Sequence, residues 1–119
     1  MWYCFKKEDR NRIIEFCRSK FLQEFRRCGN FLRHKQIIIN PGVLKQQFPD
    51  LEVFKIVQPV GSYMIAGPGV LHEGYNSGEN LAEAVNFAFP QWLRISSNVI
   101  PCTCFKYNLA IDVKQLYLT

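Results

Sequence analysis

From Glu8 to about Phe25, apolar residues recur at near-helical spacing, with Ile14, Cys17, Phe21 and Phe25 on one side. The spacing predicts a helix that buries this stripe, with Asp9 as a favourable negative charge near its N-terminus. Gly29-Asn30 ends the pattern. Gln36 to Asn40 is a β-favouring run stopped by Pro41-Gly42, and Val43 to Gln47 reads as a short helical turn. From Val53 onward the texture changes to short strands at Val53–Gln58, Tyr63–Ala66, Val70–Tyr75 and Leu81–Phe89. Pro59, Gly61, Gly67-Pro68-Gly69 and Ser77-Gly78 separate them, and Tyr107–Leu118 reads as a last strand or short helix. The expected fold is mainly β with an N-terminal helix (α+β), its strands spaced as in a sandwich or barrel.

Leu81–Phe89 carries more information than its neighbours. Period-two alternation puts Ala82, Ala84, Asn86 and Ala88 on one face, and Leu81, Val85, Phe87 and Phe89 on the other with Glu83. The bulky face can pack into a core. The small face, with its single amide, either packs closely on another layer or leaves room for a ligand.

The chain has 119 residues, enough for one small domain with one core. Hydrophobic residues make up 48%, which marks a globular sequence rather than a disordered one. No apolar run is long enough to cross a bilayer, and the N-terminus lacks the order of a signal peptide, so an intracellular, membrane-independent protein is expected. The five cysteines, an odd count, favour reduced thiols or metal ligands over a disulfide framework. Ten of the fifteen Lys and Arg residues fall within the first 35 positions. On one continuous helix, at about 100° per residue, Arg10, Arg12, Arg18 and Lys20 point in widely different directions. A solvated basic helix is therefore expected, and direct nucleic-acid binding is not indicated. The sequence has no internal repeat, Gly-rich phosphate loop, Ser-His-Asp order or HExxH motif.

Two stretches resemble a known family. Cys28-Gly29-Asn30-Phe31-Leu32-Arg33-His34-Lys35 is similar to a segment of the zinc-containing subgroup of JmjC histone lysine demethylases. Residues 72–88, from His72-Glu73-Gly74-Tyr75-Asn76 to Asn86-Phe87-Ala88, resemble the family pattern H-x-G-[FY]-N-x-G-x-N-x-A-E-x-x-N-F-A. Pro90, Trp92 and Cys102-Thr103-Cys104 continue in register. The resemblance implies a double-stranded β-helix (a cupin-like jelly roll) and an Fe(II)- and 2-oxoglutarate-dependent dioxygenase. Such enzymes hydroxylate a lysine N-methyl group, and the hemiaminal formed loses formaldehyde. By the resemblance His72 is the last iron ligand of a two-His, one-carboxylate triad. Asn86, Ala84, Asn76 and Lys35 are implied as residues of the methyl-lysine pocket. A histone H3 tail is the implied partner, and the nucleus the implied location.

The same resemblance implies a structural zinc held by Cys28, His34, Cys102 and Cys104. Three thiolates and one imidazole suit tetrahedral Zn(II). By spacing alone the signal is weak, because C-x-C is less typical of zinc sites than C-x-x-C. Cys4 and Cys17 lie outside this set and read as buried small hydrophobes.

Other family features do not occur in the sequence. His34 and His72 are the two histidines, and neither begins an H-x-D or H-x-E motif. Aligning the family's Trp-Tyr pair on Trp2-Tyr3 puts its 2-oxoglutarate-binding lysine before Met1. Gly67-Pro68-Gly69-Val70-Leu71 replaces an aromatic-rich run, Glu73 a small residue, and Ser62 a glutamate. The chain is thus expected to be the C-terminal part of a JmjC domain. Residues 1–50 would be a helical segment with the first zinc ligands, 51–95 jelly-roll strands with His72, and 96–119 the C-x-C ligands and terminal segment. By itself it is expected to be inactive, with iron and 2-oxoglutarate entering only if a complementary N-terminal half supplies the missing ligands. The alternative is a non-catalytic, zinc-stabilised chromatin-associated module, which could self-associate through unpaired strand edges.

Overall fold

The computed structural model describes residues 1–96 together with Cys102 and Cys104. Its centre is a three-stranded antiparallel sheet in the order β2-β1-β3, with β1 at Trp2–Phe5, β2 at Val53–Ile56 and β3 at His72–Gly74. Cys4 lies opposite Phe54 on one side and His72 on the other. Backbone bonds extend the β1–β3 ladder at both ends, from Phe5 N–H to the Leu71 carbonyl and from Tyr75 N–H to the Met1 carbonyl, both 3.1 Å.

Directly paired residues share a face, so the register sorts the sheet into two surfaces. Tyr3, Phe5 and Val53 face the helices and join a core of Ile13, Cys17, Phe31, Leu44 and Leu51. Trp2, Cys4, Phe54, Ile56, His72 and Gly74 form the opposite face. Phe54 and Ile56 are exposed there. The Trp2 ring lies so close over Gly74 that an added Cβ would come within 2.7 Å of it. This approach requires glycine at position 74.

A 3-10 turn at Lys7–Asp9 leads into α1 (Arg10–Lys20), and α2 (Leu22–Arg27) follows after a break at Phe21. The single helix expected over Glu8–Phe25 is therefore two. Phe21, with φ −113° and ψ 54°, leaves helical geometry. Its ring and that of Phe25 both reach buried Phe31, at 6.3 and 6.5 Å between centroids. Ile13 rather than Ile14 shares the buried stripe with Cys17. Arg12 bridges Asp9 and Asp50, tying the first turn of α1 to the segment before β2.

Gln36–Asn40 forms no strand, which corrects the expectation for that run. Pro41 opens a helix instead of closing a strand: α3 spans Pro41–Gln47, with Pro at its first position and the Asn40 side chain accepting from Gly42 N–H at 2.8 Å. Leu44, 1% exposed, fixes α3 to the core. The Ile39 N–H donates to Glu73 Oε2 at 2.8 Å, so the coil before α3 is held to β3 by a half-buried carboxylate. Burial raises the Glu73 pKa, and its Oε1 is buried with no hydrogen-bond partner among the described residues.

The α+β expectation holds, with less strand than the sequence suggests. Val53–Gln58 and Val70–Tyr75 shorten to β2 and β3, while Tyr63–Ala66 and Leu81–Phe89 form no strand. Leu81 and Val85, assigned to a core-facing side, are 102% and 81% exposed, and Ala82, Ala84, Asn86 and Ala88 are exposed too. A period-two pattern becomes a strand only when a neighbour satisfies its backbone groups, and no described residue pairs with this segment. The alternation survives locally, since the rings of Phe87 and Phe89, two apart, meet edge to face at 5.2 Å. A further helix, α4, spans Pro90–Ser96. The expected element at Tyr107–Leu118 lies outside the described residues.

Two outcomes follow for stability. Leu44→Ala should cost about 2–5 kcal/mol in urea unfolding, whereas Leu81→Ala should stay within about 0.5 kcal/mol. Because the folded-state pKa of Glu73 is raised, the native chain holds its proton more tightly than the unfolded one. Its contribution is full below the ordinary glutamate pKa and is lost as pH rises through the raised value, at no more than about 1.4 kcal/mol per pH unit. Stability curves of Glu73→Gln against pH should lack this decline.

Candidate metal centre

After α2 the chain makes a tight loop whose ends meet. Cys28 is extended, with its N–H bonded to the Glu24 carbonyl at 2.9 Å. The Phe31 N–H returns to the Cys28 carbonyl at 3.1 Å, and a 3-10 turn then runs from Phe31 to His34. Buried Phe31 anchors the turn in the core, and Lys35, with φ +57°, ends it in the left-handed region. An apolar anchor between Cys28 and His34 therefore fixes where both side chains project.

The ligand atoms of Cys28, His34, Cys102 and Cys104 all lie within 4.8 Å of one another. Cys102 Sγ is 3.5 Å from Cys28 Sγ and 3.2 Å from His34 Nε2. A tetrahedral zinc with Zn–S near 2.3 Å and Zn–N near 2.0 Å separates its donors by about 3.8 Å for S···S and about 3.5 Å for N···S. The observed spacings are close to those edges, so the donor set fits such an ion. The Asn30 N–H points at Cys28 Sγ from 3.3 Å, the kind of bond that supports a ligating thiolate from behind.

Electrostatics in the cluster divide the thiols. The Cys104 backbone N–H and then His34 stabilise the Cys102 thiolate, lowering its pKa to about 7. Hydrogen bonding to Cys28 and Cys102, with burial, raises Cys104 to about 11. Neighbouring thiols cannot all ionise without a cation between them. Outside the cluster, Cys4 and Cys17 are buried as expected, and burial pushes Cys17 up to about 11, with Glu73 adding to the shift.

The remaining expected site residues are not gathered. His72 is exposed on the open sheet face, its Nδ1 3.2 Å from the Val70 carbonyl and its ring 5.9 Å from Trp2. Among the described residues, no group of three potential ligands includes His72. Asn76, Ala84 and Asn86 are exposed in the coil after β3, and Lys35 is exposed beside His34. Sequence reasoning missed Glu73 as a structural clamp and Trp2 as the cover of Gly74. The only advance signal was the departure from the family pattern at position 73.

The family model described as "JmjC domain, hydroxylase" matches residues 1–87. The chain is 36% identical over 103 residues to the probable lysine-specific demethylase 4F of Homo sapiens, covering 87% of this chain and 16% of that protein. It is 35% identical over 112 residues to lysine-specific demethylase 4D of Rattus norvegicus, 94% of this chain and 22% of the other. Against lysine-specific demethylase 4B of Mus musculus the identity is 34% over 112 residues, 94% of this chain and 10% of the other. The chain thus spans between a tenth and about a fifth of these relatives' lengths. No solved structure matches it.

Proposed function

The chain belongs to the JmjC domain family, and from that premise we propose that it supplies the C-terminal part of an Fe(II)- and 2-oxoglutarate-dependent histone lysine demethylase domain. The observation that carries the proposal is the meeting of Cys28, His34, Cys102 and Cys104, the four residues the resemblance implies as zinc ligands. Zn(II) bound there would be structural: four protein ligands leave no position for a catalytic water. The ion would join the loop after α2 to the C-x-C pair. In this reading β1 to β3 are strands of a partial double-stranded β-helix. The open face of the sheet, with Trp2, Phe54, Ile56 and His72, is the surface a complementary N-terminal half would cover.

His72 would be the third ligand of an iron centre on that face. The residues present do not complete such a centre, since one imidazole with no companion ligand does not hold Fe(II) against water. The second histidine and the carboxylate must come from another segment or another chain. Asn76, Ala84 and Asn86 follow His72 along the exposed coil and would line a methyl-lysine pocket once a facing surface closes over them. A histone H3 tail as substrate and a nuclear setting accompany this reading. The exposure of both the sheet face and the coil also favours a second one, a zinc-stabilised module that associates with chromatin without catalysis.

Elemental analysis tests the centre. The purified chain should carry one zinc, lost in Cys102→Ser and retained in Cys17→Ser, and chelation should lower its melting temperature. A soluble, cooperatively melting chain without zinc would sink the proposal. Given Fe(II), 2-oxoglutarate and a methylated H3 peptide, the isolated chain should release no formaldehyde. Release would show that the iron site needs no further segment.

A further inference from the structure

The break at Phe21 separates the basic residues of the chain into two populations. In the first, four of the six cations have a local partner. Lys6 pairs with Glu52, Arg12 with Asp9 and Asp50, and Arg18 with Glu15, while the Lys20 ammonium lies over the Phe16 ring at 5.7 Å. In the second, Arg26, Arg27, Arg33 and Lys35 are exposed and take part in none of the ion pairs among the described residues. These four flank the metal-centre loop, two immediately before Cys28 and two on either side of His34.

Because the ligand atoms of Cys28 and His34 lie within 4.8 Å, the two ends of the loop, adjacent in sequence to Arg27 and Arg33, are drawn together. Arg27 and His34 line the same cleft, with Glu24 as its one acidic neighbour. On a single straight helix the basic residues would have dispersed. The closed loop instead sets Arg27 and Arg33 next to its two ends in sequence.

We propose that Arg26, Arg27 and Arg33 form a phosphate-binding surface that seats this chain on duplex DNA without reading sequence. The chemistry of the patch selects the partner. Guanidinium groups present planar forks that match phosphate oxygens two at a time. A protein partner would be expected to use buried apolar anchors, yet none of the exposed large apolar side chains lies between Arg26 and Lys35. A polyanionic backbone needs no such anchor, because binding is driven by counterion release. The inference uses the closed geometry of the loop and does not require demethylase chemistry.

The test is fluorescence anisotropy of the purified, metal-bearing chain with a duplex of about 20 base pairs and arbitrary sequence, across a salt series. Three neutralised phosphates give a slope of log K against log salt of about −2.7, so a fourfold rise in salt weakens binding roughly 40-fold. The variant R26Q/R27Q/R33Q should lose that slope while keeping its metal content and melting temperature. Lys35 is left intact because the resemblance places it in the substrate pocket. K45Q, exposed on α3, should bind as the parent does. No DNA binding by the parent chain, or unchanged binding by the triple variant, overturns the proposal. So does equally tight binding to polyglutamate of matching charge, which would indicate an acidic protein partner. Loss of metal from the triple variant overturns it as well, because the arginines would then serve the centre. A metal-free chain that still shows the slope supports this proposal while removing the zinc reading, so the two fail separately.

Discussion

β1 is the strand on which the described fold depends, because it alone is paired on both sides and both partners are distant in sequence. Cys4 lies opposite Phe54 and His72, so placing four N-terminal residues closes two long loops at once. The entropy of that closure grows slowly with loop length, and the burial of Phe5, Val53 and Leu71 in one cluster offsets it. Register then decides everything downstream. A slip of one residue would either turn Phe5 out of the core or move His72 from the open face to the helical side. Contact of Trp2 with Gly74 and the clamp from Glu73 to Ile39 hold the register from opposite faces.

The cluster of Cys28, His34, Cys102 and Cys104 is a second long-range closure, made by polar groups instead of apolar ones. Cys28 and His34 reach Cys102 across most of the chain. Its two halves depend on different physics. Phe31 fixes the first pair by burial, while the thiols meet in a space where their charges compete, one lowered and one raised in pKa. Such a cluster is poorly stabilised without a cation and strongly stabilised with one. Arg26, Arg27 and Arg33, all exposed, flank the same closure in sequence.

The two sides of the sheet differ in what covers them. A helix layer covers one face, while the other presents Trp2, Phe54, Ile56 and His72. The coil that follows carries Leu81, Val85, Phe87 and Phe89 in the open as well. These are core-type residues that lie outside the core formed by the described residues.

By itself the sequence determined the family, the four candidate metal ligands, the buried character of Cys4 and Cys17, and the alternation along Leu81–Phe89. The family and the candidate ligands are carried by the resemblance of two sequence stretches, the burial and the alternation by residue identity and spacing. Only the tertiary structure decided the rest. Pro41 opens a helix because Asn40 is free to cap it, and the helix breaks at Phe21, where the rings of Phe21 and Phe25 converge on Phe31. Trp2–Phe5 is a strand because residues far along the chain pair with it, and Leu81–Phe89 is not one because no described residue does. Strand formation depends on a partner for the backbone, and local sequence does not contain that partner.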